Sequence, residues 1–335
     1  MSLGVDVCKR VLNFVVSVVL LFPVHSVFAQ PPTKIPRIGF LPGSGDPNTP
    51  GPQVEAFRQG LRDLGYVEGK NILVEFRYLE GNVNRAPALV AELVQLKVDV
   101  LVLITLPSIR AAKQATKTIP IVMLTTVDPV GTGLVDSLAR PGGNITGLTR
   151  LQRELSGKRL ELLKEVVPGI SRVGAVWDSN ASGPDIGFKE YETAARVLNI
   201  QLQSLEVRGP TPDLEVAFQA AAKGRVSALI TIGNPVLSRY QKQITEFTIK
   251  TRTSSMCEGS AYVEAGCLMS YSASDAESYR RAAYFVDKIL KGTKPADLPV
   301  EQPMKFELVI NLKTAKQIGL TIPQSVLFRA DKVIK

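Results

Sequence analysis

Short apolar runs alternate with amphipathic segments along most of the chain. Ile35–Leu41 reads as a strand. Val54–Leu64 carries apolar residues at Val54, Phe57, Leu61 and Leu64, the spacing of one helical face, and Gly65 stands in the C-cap position. Ile72–Tyr78 alternates as a strand, and Pro87–Leu96 is helical with proline in its first turn. Val98–Ile104 is apolar at every position but Asp99, as expected of a parallel strand buried on both faces. Ile109–Thr116 is a further short helix and Ile119–Thr125 a further strand.

The order then starts again. Arg37-Ile38-Gly39-Phe40 is echoed by Arg172-Val173-Gly174-Ala175, and the helix around Phe57–Gly65 by Tyr191–Asn199. Ile72–Tyr78 is echoed by Leu202–Val207, and Val98–Ile104 by Val226–Ile232. Thr105-Leu106-Pro107 falls where Gly233-Asn234-Pro235 falls, each before a helix. Two successive β-α-β-α-β units imply parallel sheets with right-handed crossovers. The expected fold is therefore α/β, with two doubly wound, Rossmann-like lobes separated by a cleft. Residues 33–146 are assigned to lobe 1, to be completed by about 271–300. Residues 147–270 are assigned to lobe 2, to be completed by about 301–335. In such sheets ligands bind beyond the carboxyl ends of the strands. Those ends are Leu41–Gly45, Thr105–Ser108 and Thr125–Asp128 in lobe 1, and Trp177–Asn180, Gly233–Pro235 and Met256–Glu258 in lobe 2.

The first 29 residues break the pattern. Lys9 and Arg10 precede an apolar run from Val11 to Phe22, and Ala29 ends a Val27-Phe28-Ala29 site. A basic head, a short apolar core and a small-residue site read as a cleaved signal peptide. The run is about 12 residues, well short of the roughly 20 a spanning helix needs. His25 is the one histidine, so the secreted chain would hold none. That excludes a Ser-His-Asp triad and a histidine-ligated metal from it. Cys257 and Cys267 are read as two buried thiols, with a disulfide as the alternative. The net charge of +9 is spread over helix faces with acids interspersed, such as Arg58, Arg62 and Asp63. No basic block of the kind nucleic-acid surfaces use stands out.

The loop Pro42-Gly43-Ser44-Gly45 follows the first strand, but Asn48 stands where a dinucleotide fingerprint needs its third glycine, and no phosphate-loop motif occurs. Backbone N–H groups and one hydroxyl ahead of a helix suit a single carboxylate better than a polyphosphate.

Several stretches carry a resemblance. They are Ala56–Asn71, Thr118–Val122, Asp128–Gly147, Lys158–Glu165 and Leu268–Tyr271, with the tail Ile289–Pro303 and Phe306–Lys313. Together they resemble substrate-binding proteins of ABC transporters of the tryptophan/tyrosine type, with a type I periplasmic-binding fold. The resemblance implies a periplasmic solute-binding protein that captures a small carboxylate-bearing metabolite, an amino acid or similar, by hinge closure. Its partners would be that ligand and an inner-membrane ABC permease, with no cofactor, no metal, no nucleic acid and no catalysis. A monomer is expected. The chain departs from the usual pattern at Ile104-Thr105-Leu106-Pro107 and at Trp177–Gly183, both on cleft loops.

The candidate ligand set follows from the strand ends. Gly43, Ser44 and Gly45 are placed at a carboxylate, with Thr105 and Ser108 next. Thr125, Thr126 and Asp128 are offered for polar ligand atoms, with Asn180 and Asn234 on the opposite lobe. Asp178 and Glu258 are candidates for an ammonium; Asp178 could instead cap the next segment and Glu258 could be solvated. Trp177 could stack on a ring or be a core residue, and Tyr271 is a hinge or cleft residue. The rival assignments are a two-lobed sugar-nucleotide transferase and the sensing domain of a regulator.

Overall fold

A computed structural model of the protein describes residues 34–43, 45–48, 51–150, 155–180 and 184–335. The candidate leader and Ser44 lie outside the described residues. Two sheets make up the molecule. The first contains β1 (Arg37–Leu41), β2 (Leu73–Phe76), β3 (Val100–Leu103), β4 (Ile121–Thr125) and β5 (Ile145–Thr149), in the order β2-β1-β3-β4-β5. All its pairings are parallel. The second contains β6 (Arg172–Asp178), β7 (Gln201–Val207), β8 (Ala228–Thr231), β9 (Ser254–Cys257), β10 (Met269–Ala273), β11 (Phe306–Asn311) and β12 (Lys332–Ile334). Its order is β12-β11-β10-β9-β8-β6-β7. Read from β7 to β10, that order reproduces the first sheet, which is the duplication seen in the pattern.

The continuous apolar run of β3 is used on both faces. Val100 and Val102 point into one core with α1 (Pro52–Asp63). Leu101 and Leu103 point into the other with α2 (Ala86–Gln95) and α3 (Leu106–Ala115). In the second lobe α4 (Ser156–Val166) and α5 (Pro184–Val197) cover one face. The other face is covered by α6 (Leu214–Lys223) and α8 (Gln241–Lys250), the latter preceded by the short α7 (Pro235–Arg239).

The chain crosses between the sheets three times. It first passes from β5 to α4. β5 extends to Thr149, so the first sheet continues past residue 146. After α9 (Ser260–Glu264), β10 runs to Ala273, paired on both sides in the second sheet. The next helix, α10 (Asp275–Leu290), packs its Tyr279, Ala282, Phe285 and Val286 into the α1 core of the first lobe. The chain then runs beside β5, where Thr149 N–H donates to Glu301 O at 2.9 Å and Glu301 N–H to Gly147 O at 2.9 Å. It returns to the second sheet as β11, followed by the short α11 (Leu312–Ile318) and α12 (Gln324–Leu327). β11 pairs antiparallel to β10, where the sequence pattern implied parallel strands throughout. The reason is topological. β10 delivers the chain to the cleft end of the sheet, and the chain comes back at that same end. The next strand must therefore run away from the cleft.

Cys257, at the end of β9, and Cys267, before β10, form a disulfide with a Cα–Cα distance of 6.6 Å. This corrects the expectation of free thiols. The strands are staggered, with Met269 and Ser270 at the start of β10 paired to Met256 and Cys257 at the end of β9, and this brings the two cysteines within bridging reach.

Candidate ligand-binding cleft

A cavity of about 890 Å3 lies at the carboxyl ends of both sheets, within the roughly 300–1,000 Å3 typical of small-molecule sites. Its walls come from both lobes. The first supplies Gly43 and Gly45 after β1, Thr105 after β3 and Thr126 after β4. The second supplies Gly233 and Asn234 after β8, and Glu258 and Gly259 after β9. Gly45 has φ +89°, a backbone conformation that favours glycine.

Thr105 and Asn234 hold equivalent places in the two lobes. Each caps the helix that follows, and each of those helices has proline in its first turn. Thr105 Oγ1 accepts from Ser108 N–H at 3.4 Å, and Asn234 Oδ1 accepts from Leu237 N–H at 2.7 Å. These bonds satisfy donors that a helix start leaves unpaired. They also hold the cap side chains at the cavity wall.

Other candidates are turned to structural tasks. Ser108 is fully buried, and its hydroxyl donates to Thr105 O at 2.8 Å. Thr125 is buried, and its Oγ1 accepts from Val127 N–H at 3.2 Å. Asp128 is exposed and closes a turn onto Val130 N–H at 2.9 Å. Asp178 accepts from Asn180 N–H at 3.0 Å and from Asn234 Nδ2 at 3.1 Å. It braces the cap that faces the cavity and does not itself line it. Burial pushes the Asp178 pKa up, against hydrogen bonds from Asn180, Asn234 and Gly209 that pull it down.

Trp177 does not line the cavity. Its ring stacks on Phe188 of α5 at 4.9 Å and 13°, and its Nε1–H donates to Ser204 Oγ at 2.8 Å. Side chains alternate along a strand, and position 177 falls on the face of β6 that α4 and α5 cover. Tyr271 packs beside Phe306 at 5.9 Å, and its carbonyl accepts from Arg159 Nε at 2.8 Å. It too lies outside the cavity lining.

Glu258 is 8% exposed and lines the cavity. It is not solvated. Oε1 pairs with the fully buried Arg159 at 3.1 Å, and Oε2 accepts from Gly233 N–H at 2.9 Å. A buried carboxylate needs such a partner, because leaving a charge unpaired away from water costs several kcal/mol.

The structure adds Arg150, Asp275, Tyr279, Tyr262 and Arg239 to the wall. Arg150 follows β5 directly and pairs with Asp275, the first residue of α10. The same carboxyl-end rule would have found Arg150 had Ile145–Thr149 been read as a strand. Burial holds the Tyr262 and Tyr279 hydroxyls far above the usual phenol range, so both stay neutral. Among the described residues no cluster of His, Cys, Asp and Glu could hold a metal ion, and no helix is long and apolar enough to cross a membrane.

This arrangement is shared with known proteins. The chain is 26% identical over 267 residues to a tyrosine-binding protein of Clostridioides difficile, covering 79% of this chain and 76% of that one. A conserved domain protein from Vibrio cholerae superposes with a TM-score of 0.81 at 30% identity, covering 90% of this chain and 100% of that one. An ABC domain from Streptococcus pneumonia, solved in complex with L-Trp, superposes with a TM-score of 0.80 at 25% identity, covering 89% and 99%. The fold is that of type I periplasmic-binding proteins. With the family model described as ABC transporter substrate binding protein matching residues 51–334, which take in every strand after β1, the chain belongs to that family.

Proposed function

We propose that the protein captures a small carboxylate-bearing metabolite of the amino-acid class outside the cytoplasm and hands it to the permease of an ABC importer. The observation that carries this is the origin of the cavity walls. Thr105 and Thr126 come from one lobe, and Asn234 and Glu258 from the other. A ligand touching both lobes favours the closed arrangement by its differential affinity for it, which is what capture by hinge closure requires. The three crossings between the sheets are the hinge. The relatives that bind tyrosine and L-Trp support an amino-acid ligand. Family membership supports a binding role over a catalytic one. Residues 1–29 serve as the cleaved leader, so the exported chain begins at Gln30; N-terminal sequencing of exported protein tests this.

The ligand is tested by native mass spectrometry of purified protein for a co-purified small molecule, followed by thermal-shift titrations with L-amino acids, keto acids and aromatic acids. A true ligand at a hundredfold its dissociation constant adds roughly 2.7 kcal/mol of stability. Trp177 emission is a poor reporter, because its ring is stacked on Phe188. Stabilisation by sugars or nucleosides with none by any carboxylate would overturn the assignment.

A further inference from the structure

The first helix opens onto the cavity without a cap. Gly51, Pro52 and Gln53, at the start of α1, line the wall. Gly51 stands at the N-cap position with φ +84° and has no side chain to accept from the first turn. At α3 and α10 the hydroxyls of Thr105 and Ser274 take that task. Pro52 has no N–H to place, and among the described residues none accepts from the N–H of Gln53 or Val54. A Cβ at Gly51 would lie 3.1 Å from Gln53 Oε1, so the Gln53 carboxamide folds back over the same opening. The free N–H groups of a helix start, and its dipole, favour an anion.

Water could serve a helix start by itself, but a second group points to a ligand. Tyr279, in the second turn of α10, is 3% exposed and lines the cavity. Its ring lies 6.4 Å from that of Phe40, in the core that Val54 and Phe57 of α1 share. Phe57, one turn after Val54, is 4.7 Å from Phe40. With the ring held there, the hydroxyl end reaches the wall, beside the first turn of α1 and the root of the glycine loop. It forms no hydrogen bond among the described residues. Nor is it one of the unpartnered side-chain atoms sealed off from solvent, which are Arg150 Nε, Thr231 Oγ1, Tyr262 Oη and Ser270 Oγ. The Tyr279 hydroxyl is thus buried, unbonded and open to the cavity alone. Native structures seldom leave such a group unpaired without a reason. Backbone N–H groups only donate and a phenol can donate, so the partner that satisfies all three is an acceptor. We propose that the ligand's carboxylate seats on the first turn of α1, accepting from the Gln53 and Val54 N–H groups and from the Tyr279 hydroxyl. This deepens the amino-acid assignment above and rests on it. Both elements belong to the first lobe, which leaves the second to meet the rest of the ligand on closure.

The test is calorimetry on the purified protein, with urea midpoints of the ligand-free form alongside. Each L-amino acid is titrated, and the tightest binder is compared with its decarboxylated amine and its deaminated acid. The amine is expected to bind at least tenfold more weakly than the amino acid. Tyr279→Phe removes a hydroxyl that bonds nothing in the free protein, so its midpoint should equal or exceed that of wild type while affinity falls about tenfold. Gln53→Glu places a negative charge at the helix start, which favours the fold but repels a carboxylate seated there. It too should keep its midpoint and lose at least tenfold in affinity. A merely structural role for either residue would lower the midpoint instead. An amine that binds as tightly as the amino acid, or a Tyr279→Phe midpoint clearly below wild type, would overturn the seat. If amino acids bind both variants within twofold of wild type, the seat falls and the amino-acid assignment stands. If the deaminated acid binds as tightly as the amino acid and both variants weaken it tenfold, the assignment falls and the seat stands. Failure of every carboxylate to bind overturns both.

Discussion

Gly60 lies in the middle of α1, where glycine is ordinarily a defect. Replacing it by alanine in an exposed helix should stabilise by about 1 kcal/mol. Here the sign reverses. A Cβ at Gly60 would lie 2.8 Å from Arg280 O, 2.9 Å from Arg280 Cα and 2.9 Å from Ala283 Cβ, all on α10. Two of these atoms are backbone and cannot rotate aside, so the helices must separate. Overpacking of this kind costs about 1–3 kcal/mol. The expected net effect of Gly60→Ala is a loss of up to about 2 kcal/mol, the difference between these two terms. Gly157→Ala in α4 is the control, because the nearest atom to a Cβ there is 3.9 Å away. It should be neutral or gain up to about 1 kcal/mol. Urea midpoints at unchanged m-value read both. The change also has a functional reach, since α10 carries Asp275 and Tyr279 to the cavity; ligand affinity should fall with Gly60→Ala and hold with Gly157→Ala. A Gly60→Ala protein as stable as the control would refute the claim that close backbone approach seats α10 on the first lobe.

Three further outcomes are expected. Reducing the Cys257–Cys267 disulfide, which closes a separation of 10 residues, should cost about 2–3 kcal/mol on the chain-entropy argument; identical urea midpoints with and without reductant would contradict it. Tyr66 donates to Asp287 Oδ1 at 3.0 Å, and burial first, then Asp287, raises its pKa from 10.0 to about 12. The folded state thus holds this proton longer than the unfolded chain, and the associated stability is present below pH 10 and lost as pH rises toward 12. Tyr66→Phe should flatten that part of the stability–pH curve and cost about 1 kcal/mol at neutral pH; an unchanged slope would count against the pairing. Gly81, at φ +75°, leaves room for Arg239 of the opposite lobe, whose Cδ would lie 2.6 Å from an added Cβ and whose Nη1 donates to Glu80 O. Gly81→Ala should weaken ligand binding severalfold through faster dissociation, read by stopped-flow kinetics; an unaltered off-rate would rule out a role for this contact in closure.

The repeated β-α-β-α-β plan was legible because parallel strands buried on two faces are apolar throughout, as at Val100–Ile104. Strand ends then pointed to Thr105, Thr126, Asn234 and Glu258 by topology alone. β5 was harder to see. Asn144-Ile-Thr-Gly-Leu-Thr149 mixes threonines with a glycine, and Gly147 is needed because a Cβ there would lie 2.2 Å from Met123 O. Missing β5 meant missing Arg150, the residue that follows it. Trp177 was placed correctly at a strand end, but which side of the sheet it faces depends on register against the covering helix.

What the sequence by itself determined is the duplicated α/β plan and the approximate position of the cleft. These follow from local periodicity, which each segment carries in its own side chains. Only the tertiary structure decided which strand-end residues face the cavity and which brace it, that β11 returns antiparallel, and how the charges pair. Arg159 meets Glu258 across 99 residues of sequence, and Arg150 meets Asp275 across 125. Such pairings leave no local periodic signal, because they are set by where the crossings between the lobes bring distant segments together.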